Sequence, residues 1–195
     1  PCLRQQVQKK GSEACYYSLS DFIMPADTQK TDYIGVFTVT AGKEIENRIE
    51  YYKQQDDNYN ALLLQSLSDR IAEAATELLH YRVRKEIWGY SPNETATVEN
   101  LLKEHYQGIR PAIGYPSLPD QSLAFDIDKL LGFVQIDVSL TENGAMKPNS
   151  TVSGIMIAHP QSAYFHIGQI DMEQRAEYCK KRNFSIEDSY KWLSV

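Results

Sequence analysis

The feature that most constrains this 195-residue chain is a helical repeat near its first third. Leu64, Leu67, Ile71, Ala74 and Leu78 recur at alternating steps of three and four, which puts them on one face of an α-helix. Asp56, Asp57 and Asn58 supply cap candidates and negative charge ahead of it, while Arg82, Arg84 and Lys85 gather where a helix dipole favours cations. The spacing predicts one long helix from about Asp57 to Ile87.

Shorter elements surround it. Tyr33 to Thr40 is rich in β-branched and aromatic residues and reads as a strand. A short helix follows, with Ile45, Ile49 and Tyr52 at helical spacing. Beyond the long helix, a short one is expected from about Val98 to Tyr106, ended by Gly108. Asp120 is a candidate cap for a helix running to about Leu131, buried through Leu123, Ile127 and Leu130. Strand signals return at Gln135–Leu140, Thr151–Ala158 and Tyr164–Ile170, the last two joined by a connection of hairpin length. Asp171 with Gln174, and Ser185 with Asp188, look like capped helix starts. Strands and helices mix without strict alternation, so the fold class is α+β with an antiparallel sheet.

Composition bounds the function. A net charge of −6 argues against a general nucleic-acid grip, which needs a dense basic face. No apolar run approaches the ~20 residues that a membrane helix requires. Cys2, Cys15 and Cys179 form no metal-like or redox-like pair, which suggests reduced thiols in a cytoplasmic setting. The ten glycines never occur as Gly-x-Gly, so a dinucleotide fingerprint and a phosphate loop are both missing. His80, His105, His159 and His166 have no zinc-site spacing, and there is no Gly-x-Ser-x-Gly elbow. No catalytic residue and no metal ligand is therefore assigned.

One segment stands apart. Arg110-Pro111-Ala112-Ile113-Gly114-Tyr115-Pro116-Ser117-Leu118-Pro119 holds three backbone nitrogens without a proton and must form an irregular, stiff loop. Such a loop can offer main-chain polar groups to a ligand at little ordering cost, or it can simply link two helices.

The same residues carry a resemblance. Arg110 to Pro116, followed by Pro119-Asp120, closely resembles the Arg-Pro-Ala-x-Gly-Tyr-Pro signature of the activation domain of cobalamin-dependent methionine synthase, which binds S-adenosylmethionine. Further blocks are similar in the same order: Asp69 to Ala74, Arg82 to Lys85, Trp88 to Tyr90, Tyr106 to Ile109, Leu140 to Glu142, Val152 to Gly154, His159-Pro160 and Tyr164 through Ile170. The likeness runs from about Leu3 to Leu193. The family pattern usually continues past Pro-Asp with a histidine and then a lysine, where this chain has Gln121 and no lysine before Lys129.

The resemblance implies a bent antiparallel sheet with flanking helices, one of them long, and not a Rossmann-type methyltransferase. It implies reductive reactivation: S-adenosylmethionine remethylates cobalamin after one-electron reduction, with cobalamin held by another domain and zinc only elsewhere in the full-length enzyme. The implied partners are the cobalamin-binding domain and flavodoxin or a flavoprotein reductase. Arg110 is implied as a donor to the ligand's carboxylate or ribose side; a salt bridge to Glu104 is the plainer reading. Ala112 and Gly114 would contribute backbone groups and close approach, and Tyr115 would pack on the ligand or orient the loop. Tyr164 and Phe165 match an adjacent aromatic pair that flanks the ligand; only one of two successive strand residues can face it. Glu73 and Glu104 would compensate the sulfonium or hold Arg110, unless they are merely helix-surface acids. Asp69 is a candidate for facing the cobalamin-bearing partner, and Arg82, Arg84 and Lys85 for receiving an acidic flavodoxin. A chain that starts with Pro1, where the family's domain extends further upstream, is expected to be the C-terminal portion of that domain, weak in binding S-adenosylmethionine alone. A docking module without methyl-donor use, or a free-standing reactivation protein acting in trans, are the alternatives.

Overall fold

The computed structural model describes residues 2–6, 15–95 and 97–193; Pro1, on which the expectation of a cut polypeptide rests, lies outside them. The chain divides into two compact units, each discontinuous in sequence. The long-helix unit comprises Val36–Tyr106 and Leu123–Gly154, and the loop unit comprises Pro1–Gly35, Gln107–Ser122 and Ile155–Val195.

In the long-helix unit, β1 (Gly35–Thr40) leads through Gly42 into α1 (Lys43–Gln54). Asp57 then caps α2 (Asn58–Arg82), its carboxylate accepting from the Asn60 N–H at 3.1 Å. A π-helical turn, Val83–Ile87, carries the helix to the expected end. α1 packs against α2. The buried edge of α2 is not the leucine face, however. It consists of Ala61, Ser68, Ala72, Thr76 and His80, continued by Arg84, at near four-residue steps. Leu67, Ile71 and Leu78 are 54%, 45% and 59% exposed. Small side chains let neighbouring backbone come close, and polar groups exploit that closeness: Ser150 Oγ lies 2.7 Å from Ser68 Oγ and donates to Asp69 Oδ1 at 2.6 Å. Asp69 is thus engaged within its own unit rather than turned wholly to solvent.

The helix after the Pro92 loop is shorter than expected. α3 (Val98–Leu102) is capped by Thr97 and stops well before Gly108, at a left-handed Glu104. α4 (Leu123–Leu131) buries Ala124 and Ile127 but exposes Leu130. Asp120 does not cap it; the Asp120 side chain accepts instead from Ser122, two residues on. The strand expected over Gln135–Leu140 starts instead in a 3₁₀ turn, Phe133–Ile136, followed by a left-handed Asp137; the Asp128 carboxylate takes the Phe133 N–H at 2.8 Å. Only β2 (Ser139–Leu140) remains, antiparallel to β3 (Met146–Lys147) with Ser139 opposite Lys147. β4 (Thr151–Met156) pairs with β1.

In the loop unit, Asp171 caps α5 (Met172–Arg182) by accepting from the Gln174 N–H, and a Ser185–Asp188 capping box opens α6 (Ile186–Trp192), both as expected. Tyr164–Ile170, with a left-handed Gly168, has no regular secondary structure and forms no ladder with β4. Its Ile167 N–H goes to Pro116 O and its Ile167 carbonyl accepts from Gln6. The residues that continue β4 pair with the proline loop instead: Ile109 and Ile157 exchange both backbone bonds at 2.9 Å. The core here gathers Leu19, Phe22, Ile109, Ile157, Phe165 and Ile167. The fold is α+β with small sheets, not a doubly wound one. No described helix is long and apolar enough to cross a membrane.

Candidate functional site

The loop begins where the Ile109–Ile157 pairing ends. Pro111 cannot donate, but its carbonyl accepts from the Ile155 N–H at 3.0 Å. The chain then folds back on itself: Gly114 N–H donates to Leu118 O at 2.9 Å, and Leu118 N–H donates to Tyr115 O at 2.8 Å. Gly114 has φ +84°, a left-handed conformation that a side chain resists, and a Cβ there would stand 3.2 Å from Gln121 Oε1. Pro116 O accepts from Ile167 at 3.1 Å, so the loop is tied on two sides. A third tie comes from Tyr164, whose hydroxyl accepts the Arg110 N–H at 2.9 Å.

These ties sort the expected site residues. Arg110, Ala112, Gly114, Tyr115, Tyr164 and Phe165 all lie in the loop unit. Arg110 is half-buried, and Gly114 and Tyr115 are exposed at the loop tip. Ala112 is buried, with its carbonyl accepting from the Tyr115 N–H at 3.3 Å. The aromatic pair splits: Tyr164 is 37% exposed, whereas Phe165 is 8% exposed and packs beside the Tyr17 ring. Glu73 and Glu104 belong to the long-helix unit, Glu73 half-buried on α2 and Glu104 exposed beyond the end of α3.

Of the cations at the end of the long helix, Arg84 cannot meet a partner. It is fully buried, with bonds of 2.7 Å from Nε and Nη2 to the two Glu94 oxygens, Glu77 at 3.8 Å, and the Tyr106 ring 3.9 Å from its guanidinium carbon.

Sequence reasoning missed what holds the loop's exit. Asp120 sits among Ser122, Tyr178 and Arg182, and burial together with the Asp120 charge pushes the Tyr178 phenol well above its ordinary range. The Pro-Asp pair was visible, but nothing local links it to α5. A cavity of about 410 Å³ also lies in the loop unit, lined by Cys2, Arg4, Ser20, Asp171, Glu177 and Lys181 among others, and includes none of the expected ligand residues.

The arrangement offers a guanidinium, an exposed phenol ring and loop backbone. It presents no nucleophile–base pair, and no group of three His, Cys, Asp or Glu side chains placed for a metal ion occurs among the described residues. These groups are suited to holding an anionic or cationic ligand and contribute no proton transfer of their own.

Comparison with known proteins gives this geometry a context. A solved structure described as the MetH reactivation domain bound to AdoHcy superposes with a TM-score of 0.89 at 41% sequence identity. The match covers 100% of this chain and 61% of that one, so the chain spans less than two thirds of its relative's length. The family model for the activation domain of vitamin B12 dependent methionine synthase matches residues 1–183. The chain belongs to the activation-domain family of vitamin B12-dependent methionine synthase.

Proposed function

We propose that this chain is the S-adenosylmethionine-holding portion of a methionine synthase reactivation domain, a module of a methyltransferase. The observation that carries the reading is the Arg110–Tyr164 hydrogen bond, which joins two separate blocks of family resemblance, 54 residues apart, within one unit. The relative that binds AdoHcy, the demethylated form of S-adenosylmethionine, supports the same ligand class.

The residues present suit that ligand. The Arg110 guanidinium matches a carboxylate through its planar fork. The exposed face of Tyr164 or Tyr115 suits an adenine ring or a sulfonium, which an aromatic quadrupole attracts. Gly114 and Tyr115 lie exposed at the loop tip, with their N–H groups bonded within the loop to Leu118 O and Ala112 O, so their contribution is close approach and a fixed surface. S-adenosylmethionine supplies a methyl group already activated on sulfur, and cobalamin, assigned like zinc to other domains, supplies the acceptor. What falls to this chain is orientation: a stiff loop that holds sulfur and methyl in line contributes through positioning rather than acid–base chemistry. Cytoplasmic location, docking with a cobalamin-binding domain and reduction by flavodoxin or a flavoprotein reductase belong to the same proposal. These 195 residues by themselves are expected to be inactive in reactivation and weak in ligand binding.

Isothermal titration of S-adenosylmethionine into the full gene product tests the reading. Arg110→Ala should weaken binding at least tenfold. Unchanged affinity would remove the loop from the site.

A further inference from the structure

Asp120 follows the signature loop and is 2% exposed. Its Oδ1 accepts from Ser122 N–H at 2.9 Å and from Ser122 Oγ at 2.6 Å. Its Oδ2 accepts from the Tyr178 hydroxyl at 2.5 Å and lies 3.3 Å from Arg182 Nε. Arg182 Nη2 donates in turn to Ser122 Oγ at 2.8 Å, which closes the ring of contacts. The backbone is fastened at the same place, with the Gln121 N–H donating to Trp192 O at 2.9 Å and Asp120 bridged to Leu193.

A buried carboxylate is a costly way to end a loop, and packed apolar side chains would stabilise the unit as well or better. What the ionic ring adds is geometry. A carboxylate with several fixed donors has one orientation, and Asp120 is one residue from Pro119. The loop is therefore anchored at its start by Tyr164 and Ile155, at its middle by Ile167, and at its exit by α5 through Tyr178 and Arg182. A loop held in its binding conformation before the ligand arrives gains affinity because ordering is not charged to the binding step.

We infer that Asp120, gripped by Tyr178 and Arg182, is a positioning residue that sets the conformation of the Arg110–Pro119 loop and thereby the affinity for S-adenosylmethionine. This rests on the ligand assignment above. Tyr178 and Arg182 act through Asp120 and touch no ligand; their role is to keep the carboxylate in place.

The test uses the full gene product, with wild type, Asp120→Asn, Asp120→Ala and Tyr178→Phe. For each, KM for S-adenosylmethionine and kcat of reductive reactivation are measured, with the ligand-free thermal midpoint and the affinity for S-adenosylhomocysteine. Asp120→Ala should raise KM and the S-adenosylhomocysteine Kd at least tenfold, with kcat at saturating ligand within twofold of wild type. Tyr178→Phe should raise both about threefold, and Asp120→Asn, whose single oxygen can serve Ser122 or Tyr178 but not both, should fall between it and Asp120→Ala. If Asp120→Ala does not fold, the other two variants carry the same comparison. A lowered thermal midpoint with unchanged KM and Kd would reduce Asp120 to a stability role and overturn the inference while leaving the ligand assignment intact. Failure of the wild-type protein to bind either nucleoside would overturn the ligand assignment, and this inference with it.

Discussion

The hydroxyl of Tyr164 accepts the backbone N–H of Arg110 at 2.9 Å, so the side chain of one sequence block sets the start of another. Tyr164→Phe keeps the ring and deletes the acceptor. Loss of one such bond costs about 0.5–1.5 kcal/mol, and urea denaturation should find a change at the lower end because the bond is exposed. The affinity for S-adenosylhomocysteine should fall severalfold, since Arg110 loses its orientation.

Arg110→Lys keeps the charge and discards the fork. If the guanidinium clamps a carboxylate, lysine should recover little of the affinity that alanine loses. Full recovery by lysine in calorimetric titrations would mean that charge alone matters at this position.

Arg84 is the most heavily committed cation of the long-helix unit. Its removal leaves Glu94 nearly buried without its bidentate partner. Arg84→Ala should therefore destabilise the protein by about 3–5 kcal/mol, the range for breaking a buried ion pair. The double variant Arg84→Met with Glu94→Gln should lose clearly less, as read from denaturant midpoints.

The two edges of α2 should respond in opposite ways. Leu67→Glu and Ile71→Glu alter exposed positions and should change stability by about 0.5 kcal/mol or less. Ala72→Leu forces three extra carbons into the buried seam and should cost about 1–3 kcal/mol. The reverse ranking in chemical denaturation would invert the assignment of faces.

Acid should release the pair that ties Arg4 to Asp21. The Arg4 hydrogen bonds hold the Asp21 carboxyl below the usual carboxylate range. A depressed folded value stabilises the protein above the unfolded pKa of about 3.9, and the contribution disappears as pH falls through the folded value. Asp21→Asn should thus be destabilising at neutral pH, modestly because solvent screens an exposed pair, and indistinguishable from wild type near pH 2 by urea titration.

Features whose cause lies within a few residues were legible in advance. Asp171 and Ser185 satisfy N–H groups three positions away, and the prolines of 111–119 stiffen the chain wherever it goes. The face of α2 that packs was not legible. Ala61, Ser68, Ala72 and Thr76 leave almost no trace in a hydropathy pattern, although they are buried side chains of α2 and Ser68 meets Ser150. Strand content misled for a related reason. Ile167 and its neighbours have strand-like composition, yet their partners are Pro116 and Gln6, and a ladder needs a partner that composition does not specify. Within the candidate site, the loop was visible from its prolines and its resemblance. The grip on Asp120 was not, because Tyr178 lies 58 residues away and meets it only after α5 has docked.

The outward leucines of α2 have a practical bearing on work with the purified chain. Leu67, Ile71 and Leu78 meet water along one edge of α2, so environment-sensitive dyes are expected to bind the native protein before any unfolding. Melting curves read from such dyes would start on a high plateau and understate cooperativity, so calorimetry or intrinsic fluorescence of Trp88 and Trp192 is the sounder thermometer for this molecule.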